Sequence, residues 1–261
     1  MSKIIYTVSA SLAVLFLVLP LLIVLPLAFN DSTFLNYPME GFTLNWFHEV
    51  LTRAPWLFAL GNSFKVALGA MVLALLIGGT AAMGTMASRK ATQIVLSVLF
   101  ISPLVIPSVV IGVAMYYAFA RIGASGTYIS LILAHSILGA PLVFLSVMTG
   151  LKGLNPELDR AGASMGASRW YRFRTVTLQL TLPSFLTGAL FAFITSFDEV
   201  VVALFLASPE TMTLPKVLFS SLRDRLEPTI VVVALMLSVV SMVFIALMGW
   251  LQKRSAYTAK P

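Results

Sequence analysis

Two adjacent acids interrupt a long apolar stretch in the second half of the chain. Asp198 and Glu199 are the only charged residues between Phe185 and Ala207. A charged side chain inside a bilayer costs about 2.5–3.5 kcal/mol on insertion scales and normally lines a cavity or finds a partner. A carboxylate there would attract a cationic solute. The alternative is a structural ion pair with Lys65, which lies in a second apolar stretch. We expect these three residues either to line or gate a substrate pathway or to form that pair.

Other chemistries lack the residues that they need. The sequence has no cysteine, which excludes thiol catalysis and thiolate zinc sites. Its two histidines, His48 and His135, do not fall in a metal-binding spacing. No Gly-x-x-x-x-Gly-Lys-Ser/Thr phosphate loop occurs. We therefore expect a non-catalytic protein with no metal site. For His135 we expect a hydrogen bond to a neighbouring helix, with a direct role in transport as the alternative.

The composition is that of an integral membrane protein. Hydrophobic residues make up 59% of the chain, charged residues 10%, and the mean hydropathy is +0.97. A soluble globular domain has about 25% charged residues. The net charge of +7 does not point to nucleic acid, because the basic residues must first be placed relative to a bilayer.

Six apolar runs are each long enough to cross a hydrocarbon core of about 30 Å as a helix. They cover residues 4–28, 57–83, 94–119, 127–149, 185–207 and 229–251. The first run is too long for the core of a secretory signal, so we expect it to be retained. Pro103 and Pro107 should kink the third run. The sequence thus predicts an all-α membrane protein with six transmembrane helices and a single domain over 1–261.

The distribution of Lys and Arg predicts the orientation of these helices. One side receives the N-terminus, the loop at 86–93, the loop at 150–184 and the C-terminal tail. The basic residues on that side are Lys3, Arg89, Lys90, Lys152, Arg160, Arg169, Arg172, Arg174, Lys253, Arg254 and Lys260. The opposite loops hold only Arg53, Arg121, Lys216, Arg223 and Arg225. Both termini are therefore predicted to be cytoplasmic.

The 150–184 loop is polar and basic, and its residues predict two short helices. Asn155 can cap the first helix, Pro156 suits its first turn, and Glu157 and Asp159 suit the positive end of its dipole. Gly166 can end this helix. A second helix is predicted to begin near Ser168. The loop either lies on the membrane surface, as its arginines allow, or docks onto a partner.

The spacing within this loop resembles the EAA loop of ATP-binding-cassette (ABC) importer permeases. The residues at the corresponding positions are Ala161, Gly162, Gly166, Val176 and Leu178. That motif reads Glu-Ala-Ala, three residues, Gly, nine residues and Ile-x-Leu-Pro. This sequence departs from it in having Arg160 for Glu, Gly162 for the second Ala, and Gln179 for Pro.

Further segments resemble the same family along nearly the whole chain. They are Pro103–Pro107, Leu133–His135 and Ser196–Leu206. The last of these is most similar to spermidine/putrescine-type permeases. The resemblance implies a type I importer permease that carries a polyamine or related amine across a bacterial inner membrane by alternating access.

The resemblance also implies partners. In this family a separate ATPase subunit binds ATP and Mg²⁺, a second permease completes the pathway, and a soluble solute-binding protein delivers the substrate. For the second permease we expect a paralogue, which gives a heterodimer, and we expect no cofactor in this chain. The residues implied to contact the ATPase are Glu157, Asp159, Arg160, Ala161, Gly162 and Gly166. The alternative is an ion-coupled secondary transporter that uses Asp198 and Glu199, which should show inverted repeats.

Overall fold

The computed structural model describes the backbone of residues 2–224 and 227–258. Within this part of the chain the structure is helical, with isolated β-bridges and no named strand. The α-helices are α1 (Ser2–Val24), α2 (Asn45–Thr52), α3 (Ala54–Met86), α4 (Lys90–Ile101), α5 (Ser108–Arg121), α6 (Tyr128–Lys152), α7 (Pro156–Ser164), α8 (Arg169–Arg172), α9 (Leu178–Phe197), α10 (Val201–Leu206), α11 (Leu214–Asp224) and α12 (Thr229–Thr258). The all-α prediction is confirmed for these residues.

Among the described residues, four helices are long and apolar enough to cross a membrane. They are Tyr6–Phe29, Pro55–Met86, Tyr128–Lys152 and Arg169–Phe197. A fifth span results if the bent pair Lys90–Leu104 and Ser108–Arg121 is counted as one. Residues 229–244 of α12 form a shorter apolar helix, where the sixth run was predicted. The six-span topology therefore remains a prediction.

The third predicted run, 94–119, is not one straight helix. Its two halves meet at an angle of 92°. Pro103 has no N–H to donate to the carbonyl of Leu99 four residues before it, and the Ser102 hydroxyl donates to that carbonyl instead, at 2.8 Å. A short 3₁₀ turn, Ser102–Leu104, follows, and Pro107 stands just before α5. The predicted kink is confirmed and is sharper than a bend within a continuous helix.

The fifth predicted run, 185–207, is wrong at both ends. A helix runs without a break from Arg169 through a π-helical turn, Phe173–Thr177, to Phe197. The sequence predicts a separate short helix that contains the three arginines, but no helix-breaking residue separates them from the apolar segment except Pro183, which the helix accommodates. The helix then ends at Asp198, and a separate helix, α10, begins at Val201.

The described residues fall into two compact units, one drawn from 1–58 and 217–240 and the other from 59–216 and 241–261. A single domain over 1–261 remains a prediction. In the first unit, Asn30 is fully buried and organises the turn after α1. Its side chain accepts from the N–H of Glu40 at 2.9 Å, and its carbonyl accepts from the Trp46 indole at 2.8 Å.

The core of the second unit lies along α6. Near the start of α6, Leu131, Ala134 and Leu138 pack with residues of α5 and α10. Near its end, Val143 and Phe144 belong to a second buried cluster, together with alanines of α3 and α9. The two clusters place the α9–α10 break beside α6.

Glycines allow the helices of this unit to approach closely. A Cβ on Gly78 of α3 would stand 2.4 Å from the carbonyl oxygen of Ala140 on α6. A Cβ on Gly188 of α9 would stand 2.9 Å from the Cα of Val143 on α6. Small residues at such crossings are typical of helix packing in membranes. These contacts set the depth and rotation of α3 and α9 against α6.

Candidate functional site

The polar loop after α6 begins with a capped helix, as the sequence predicts. The Asn155 side chain accepts from the N–H of Glu157 at 3.0 Å, and Pro156 is the first residue of α7. Glu157 and Asp159 lie in the first turn, where their charges stabilise the positive end of the helix. The start of α7 therefore follows from local interactions, namely the Asn155 side-chain cap, Pro156 and the two acids of the first turn.

A tight turn separates α7 from α8. Gly166 has φ +78°, a left-handed conformation that glycine adopts without strain. The N–H of Ala167 donates to the carbonyl of Gly162 at 3.1 Å across this turn. Ser168 then caps α8 by accepting from the N–H of Tyr171 at 3.2 Å. The predicted end of one helix at Gly166 and start of the next near Ser168 are confirmed.

One arginine, Arg172, holds the two helices together, a role that its position in the sequence did not reveal. Arg172 Nε donates to Asp159 Oδ1 at 2.8 Å, and Arg172 Nη1 donates to the carbonyl of Ala167 at 2.9 Å. Its side chain is only 17% exposed, whereas that of Asp159 is 57% exposed. We call this set the Arg172 clamp. The signal in the sequence was an acid in α7 and a base in α8 on opposite sides of a predicted turn.

Gly162 gives the clamp its room. A Cβ at Gly162 would stand 3.0 Å from Cδ and 3.3 Å from Cγ of Arg172. The EAA motif that this loop resembles has alanine at this position, and here the place of that methyl group lies against the stem of Arg172. The structure thus covers Gly162, while Ala161 and Gly166 remain exposed.

The exposed side of α7 carries a second ion pair. Arg160 Nη1 lies 2.9 Å from Glu157 Oε1, and the two side chains are 74% and 69% exposed. An exposed pair of this kind contributes little stability, about 0–1 kcal/mol. Met165 and Trp170 are also exposed, at 87% and 70%. The loop therefore presents charges and large apolar side chains together, which suits a protein contact.

Residues 162–166 also match the Gly-x-Ser-x-Gly pattern of hydrolase nucleophiles. That pattern requires a sharp turn from a strand into a helix. Here Ser164 is the last residue of α7, and its hydroxyl donates to the carbonyl of Arg160 at 3.1 Å. The serine is thus bound to its own helix, and the local structure does not support nucleophilic catalysis.

A cavity of about 360 Å³ lies where the two helix breaks of the second unit meet. The first break supplies Pro103–Ser108, and the second supplies Glu199. Leu138 and Thr195 complete the lining. We call this space the Glu199 cavity. Its volume falls in the range of about 300–1,000 Å³ that is usual for small-molecule sites.

Glu199 has a structural partner as well as this cavity. Its Oε1 accepts from the N–H of Val202 at 2.9 Å, in the first turn of α10. The carboxylate therefore helps to start α10 after the break. This role was not predicted, because no sign of a helix break is visible in the sequence at this position. Asp198, next to it, terminates α9 and is exposed.

Lys65 does not form the ion pair offered as the structural alternative. No salt bridge joins it to Asp198 or Glu199 among the residues that the structure describes. Its ammonium instead lies 5.4 Å from the centroid of the Tyr128 ring. The two acids thus remain without a cationic partner in this part of the chain.

His135 is fully buried between α6 and α9. Its Nδ1 lies 2.8 Å from the hydroxyl of Ser196, two residues before Asp198. The expected hydrogen bond to a neighbouring helix is confirmed. Its Nε2 has no hydrogen-bond partner within the described structure. This contact joins α6 to α9 just ahead of the break.

A polar network holds the segment after α10. Asn62, fully buried in α3, donates to the carbonyls of Glu210 and Met212 at 3.1 and 3.0 Å. The side-chain oxygen of Asn62, Oδ1, accepts from the Tyr128 hydroxyl at 2.7 Å. Ser63 accepts from the N–H of Leu214 at 2.8 Å. These bonds tie the 208–214 segment to the first turns of α6 and the early part of α3.

The described residues hold no group of three or more His, Asp or Glu side chains that could bind a metal ion. What they do bring together is a capped and clamped helix pair at one place and a carboxylate at two helix breaks at another. The first arrangement suits docking onto a protein, and the second suits passage of a small solute.

Residues 74–257 match the family described as "Binding-protein-dependent transport system inner membrane component". The chain belongs to this family. It is a permease subunit of an ABC importer and is a non-catalytic transport component. This membership gives no support to the ion-coupled secondary transporter.

Related permease proteins align with most of the chain. A permease protein of Salmonella typhimurium strain LT2 that is named for 2-aminoethylphosphonate transport, PhnV, is 33% identical over 237 residues, which cover 88% of this chain and 89% of the relative. The spermidine/putrescine transport system permease PotC of Haemophilus influenzae is 28% identical over 233 residues, with coverage of 89% and 90%.

Solved structures share the fold. A bacterial alginate ABC transporter in complex with an alginate pentasaccharide-bound periplasmic protein aligns with a TM-score of 0.71 at 15% identity. The alignment covers 97% of this chain and 94% of that one. An amino acid ABC transporter aligns with a TM-score of 0.63 at 18% identity, over 81% and 99% of the two chains.

Proposed function

We propose that this chain forms half of the translocation pathway of an ATP-driven importer for a small solute with a primary ammonium group. The permease alternates between outward-open and inward-open states as a separate ATPase acts on the 155–183 loop. The observation that carries the proposal is the Glu199 cavity, in which a carboxylate stands where two helices are broken. Broken helices at a solute site are a recurrent device of transporters.

The substrate class follows from chemistry shared by the relatives' names. 2-Aminoethylphosphonate, putrescine and spermidine all contain a primary amine, which is protonated at neutral pH when its pKa is near 10. Glu199 offers the complementary charge, and the rest of the cavity lining is uncharged. A polyamine is therefore one candidate and an aminophosphonate another, with the ammonium group as the common feature.

The coupling proposal assigns the ATPase contact to α7. Glu157, Arg160, Ala161 and Gly166 are exposed there, while Asp159 and Gly162 form the support through the Arg172 clamp. A rigid, capped helix with exposed charges can transmit a displacement because the clamp resists bending. ATP and Mg²⁺ belong to the ATPase in this scheme.

The assembly proposal adds a second permease, expected to be a paralogue, two ATPase subunits and a soluble solute-binding protein. One permease supplies only one side of a pathway, which is the reason for a second. The alginate transporter solved with its periplasmic protein offers an analogy for the soluble partner.

The proposed topology has six spans in a bacterial inner membrane, with both termini cytoplasmic. It counts the bent pair of α4 and α5 as one span and α12 as the sixth. The absence of cysteine makes the topology testable, because single cysteines can be introduced without interference. Ser164→Cys in α7 should resist a membrane-impermeant maleimide in intact cells, whereas Glu210→Cys should react. Reaction of Ser164→Cys in intact cells would reverse the orientation.

The transport proposal is tested in proteoliposomes that contain the chain with its ATPase, second permease and binding protein. ATP-dependent uptake of putrescine, spermidine and 2-aminoethylphosphonate is measured for the native chain and for Glu199→Gln. Glutamine keeps an oxygen that can accept from Val202 but removes the charge. We expect the KM for ammonium solutes to rise about tenfold, which corresponds to about 1.4 kcal/mol.

Two controls separate recognition from structural damage. Asp198→Asn removes the neighbouring, exposed charge and should change uptake less than Glu199→Gln. ATP hydrolysis stimulated by the binding protein should stay near the native rate in both variants. Unchanged uptake in Glu199→Gln would contradict a role in solute recognition. Transport that persists without the ATPase would overturn the ATP-driven mechanism itself.

A further inference from the structure

A groove lies between α4 and α6. Its volume is about 780 Å³. It is lined by Ile94, Val98 and Ile101 of α4, by Val105 after the 3₁₀ turn, and by two lysines, Lys90 and Lys152. We call it the α4–α6 groove. Its wall is strongly apolar, and both of its charges are positive.

The apolar wall is open rather than packed. Ile94 and Val98 are 66% and 65% exposed, and Val105 is 81% exposed. These side chains recur at intervals of three or four residues, so they form one stripe of the helix. From Ile94 to Val105 the stripe is about 17 Å long at 1.5 Å per residue. Half of a hydrocarbon core of about 30 Å is about 15 Å, so the stripe matches one acyl chain within one leaflet.

The two lysines have no anionic partner in the described structure. Lys90 is the first residue of α4, Lys152 is the last residue of α6, and both line the groove. Neither forms a salt bridge with a described acid, and no acid lines the groove. The amide nitrogen of Gln93, which also lines it, already donates to the carbonyls of Met86 and Ser88.

We propose that the α4–α6 groove binds an anionic phospholipid, with its phosphate between Lys90 and Lys152 and an acyl chain along α4. Charge complementarity and length select this occupant. Basic pockets between transmembrane helices are known to bind anionic headgroups. A zwitterionic lipid would cover the apolar wall equally well, but the ammonium group of its headgroup would lie near the two lysines and be repelled by them.

The groove also reaches the transport machinery. Val105, at its far end, lines the Glu199 cavity as well. A bound acyl chain would therefore contact the break between α4 and α5. This proposal concerns lipid binding by the chain and does not depend on the identity of the transported solute.

The experiment measures lipid binding by the purified full chain with native mass spectrometry. The chain is titrated in detergent with phosphatidylglycerol and with phosphatidylcholine of the same acyl composition. We expect phosphatidylglycerol to bind at least tenfold more tightly. Lys90→Gln and Lys152→Gln should each weaken its binding about fivefold, and together about 25-fold.

Arg89→Gln is the matched control, because Arg89 is the exposed neighbour of Lys90 and does not line the groove. It should change the affinity less than twofold. Equal losses in Arg89→Gln and Lys90→Gln would show diffuse surface attraction and overturn the site. Val98→Trp, which fills the groove, should weaken both lipids. Loss of the lipid on assembly with a second permease would make the groove a subunit interface and would also overturn the proposal.

Discussion

Replacing Arg172 with methionine should loosen α7 from α8 without unfolding the membrane helices. Methionine keeps an unbranched side chain over Gly162 but removes both donors of the clamp. Helix α7 has nine residues, and helices shorter than about 12–15 residues are marginal on their own. The order of α7 therefore depends on this contact.

The magnitude follows from the two bonds that are lost. The ion pair with Asp159 is partly exposed, so its contribution is about 1 kcal/mol. The bond from the guanidinium to the carbonyl of Ala167 is charge-assisted, and such bonds contribute about 1.5–3 kcal/mol. Because solvent replaces part of both, we expect a net loss of about 2 kcal/mol. That equals about a 30-fold increase in the population of opened α7.

Hydrogen–deuterium exchange resolves this change. Amides of 157–164 should exchange about 30-fold faster in Arg172→Met, whereas amides in the middle of α6 should keep their native rates. A double-mutant cycle with Asp159→Asn isolates the ion pair from the effect of Asp159 on the helix dipole. The coupling energy should be about 1 kcal/mol. Native exchange rates in Arg172→Met, or a coupling energy of zero, would refute the clamp.

Gly162→Ala examines the same contact from the other side. Alanine favours a helix over glycine by up to about 1 kcal/mol, but its Cβ would meet Cδ of Arg172 at 3.0 Å. The two effects should nearly cancel in the native background. In an Arg172→Ala background the full gain in helix stability from alanine should appear, as slower amide exchange in α7. A full gain with Arg172 present would show that its stem does not occupy this space.

Three further substitutions test other parts of the structure. Gly166→Val should uncouple ATP hydrolysis from transport, because a β-branched residue in the left-handed conformation costs about 1–2 kcal/mol. Gly166→Asn should be tolerated, because asparagine adopts this conformation more readily. Equal behaviour of the two variants would argue against a functional role of the turn. Gly78→Ala should lower the melting temperature in detergent, because its Cβ would overlap a backbone carbonyl, whereas Gly84→Ala in the same helix meets nothing within 4 Å and should not. Asn62→Leu should expose the 208–214 segment to proteolysis, because the carbonyl of Met212 loses its side-chain donor and that of Glu210 keeps only the Tyr128 hydroxyl, at 3.3 Å. We expect a total cost of about 1–3 kcal/mol, and a native digestion pattern would count against the network.

The sequence by itself determined the features that depend on composition and on neighbouring residues. A charged fraction of only 10% is sufficient to indicate a membrane protein, because a soluble domain has about 25%. Asn155, Gly166 and Ser168 begin or end their helices through bonds to residues two to four positions away, so their roles could be predicted. The spacing around Gly166 also indicated the family, which the comparison over 74–257 bears out.

The predicted boundaries of the fifth apolar run were wrong, and in both places charged residues misled the prediction. The arginines at 169–174 led us to predict a short helix separate from the span at 185–207, whereas the helix that they begin runs on to Phe197. Likewise Asp198 and Glu199 were predicted to lie within a continuous helix. Helix α9 instead ends just before them, and Glu199 accepts a hydrogen bond from the N–H of Val202 in the first turn of α10. Hydropathy averages over a window, and it cannot locate a break that depends on individual hydrogen bonds.

Only the tertiary structure decided which distant groups meet. Lys65 lies over Tyr128 rather than against the acids, Arg172 reaches Asp159, and the break at Pro103–Ser108 shares a cavity with Glu199. Each of these contacts depends on how far a helix is rotated and how deeply it is seated against its neighbour. Glycine contacts such as Gly78 against the α6 backbone set that geometry. The residue types along the chain do not specify the rotation and depth of each helix. A helix that is apolar all round can pack against its neighbours through several faces with similar energy.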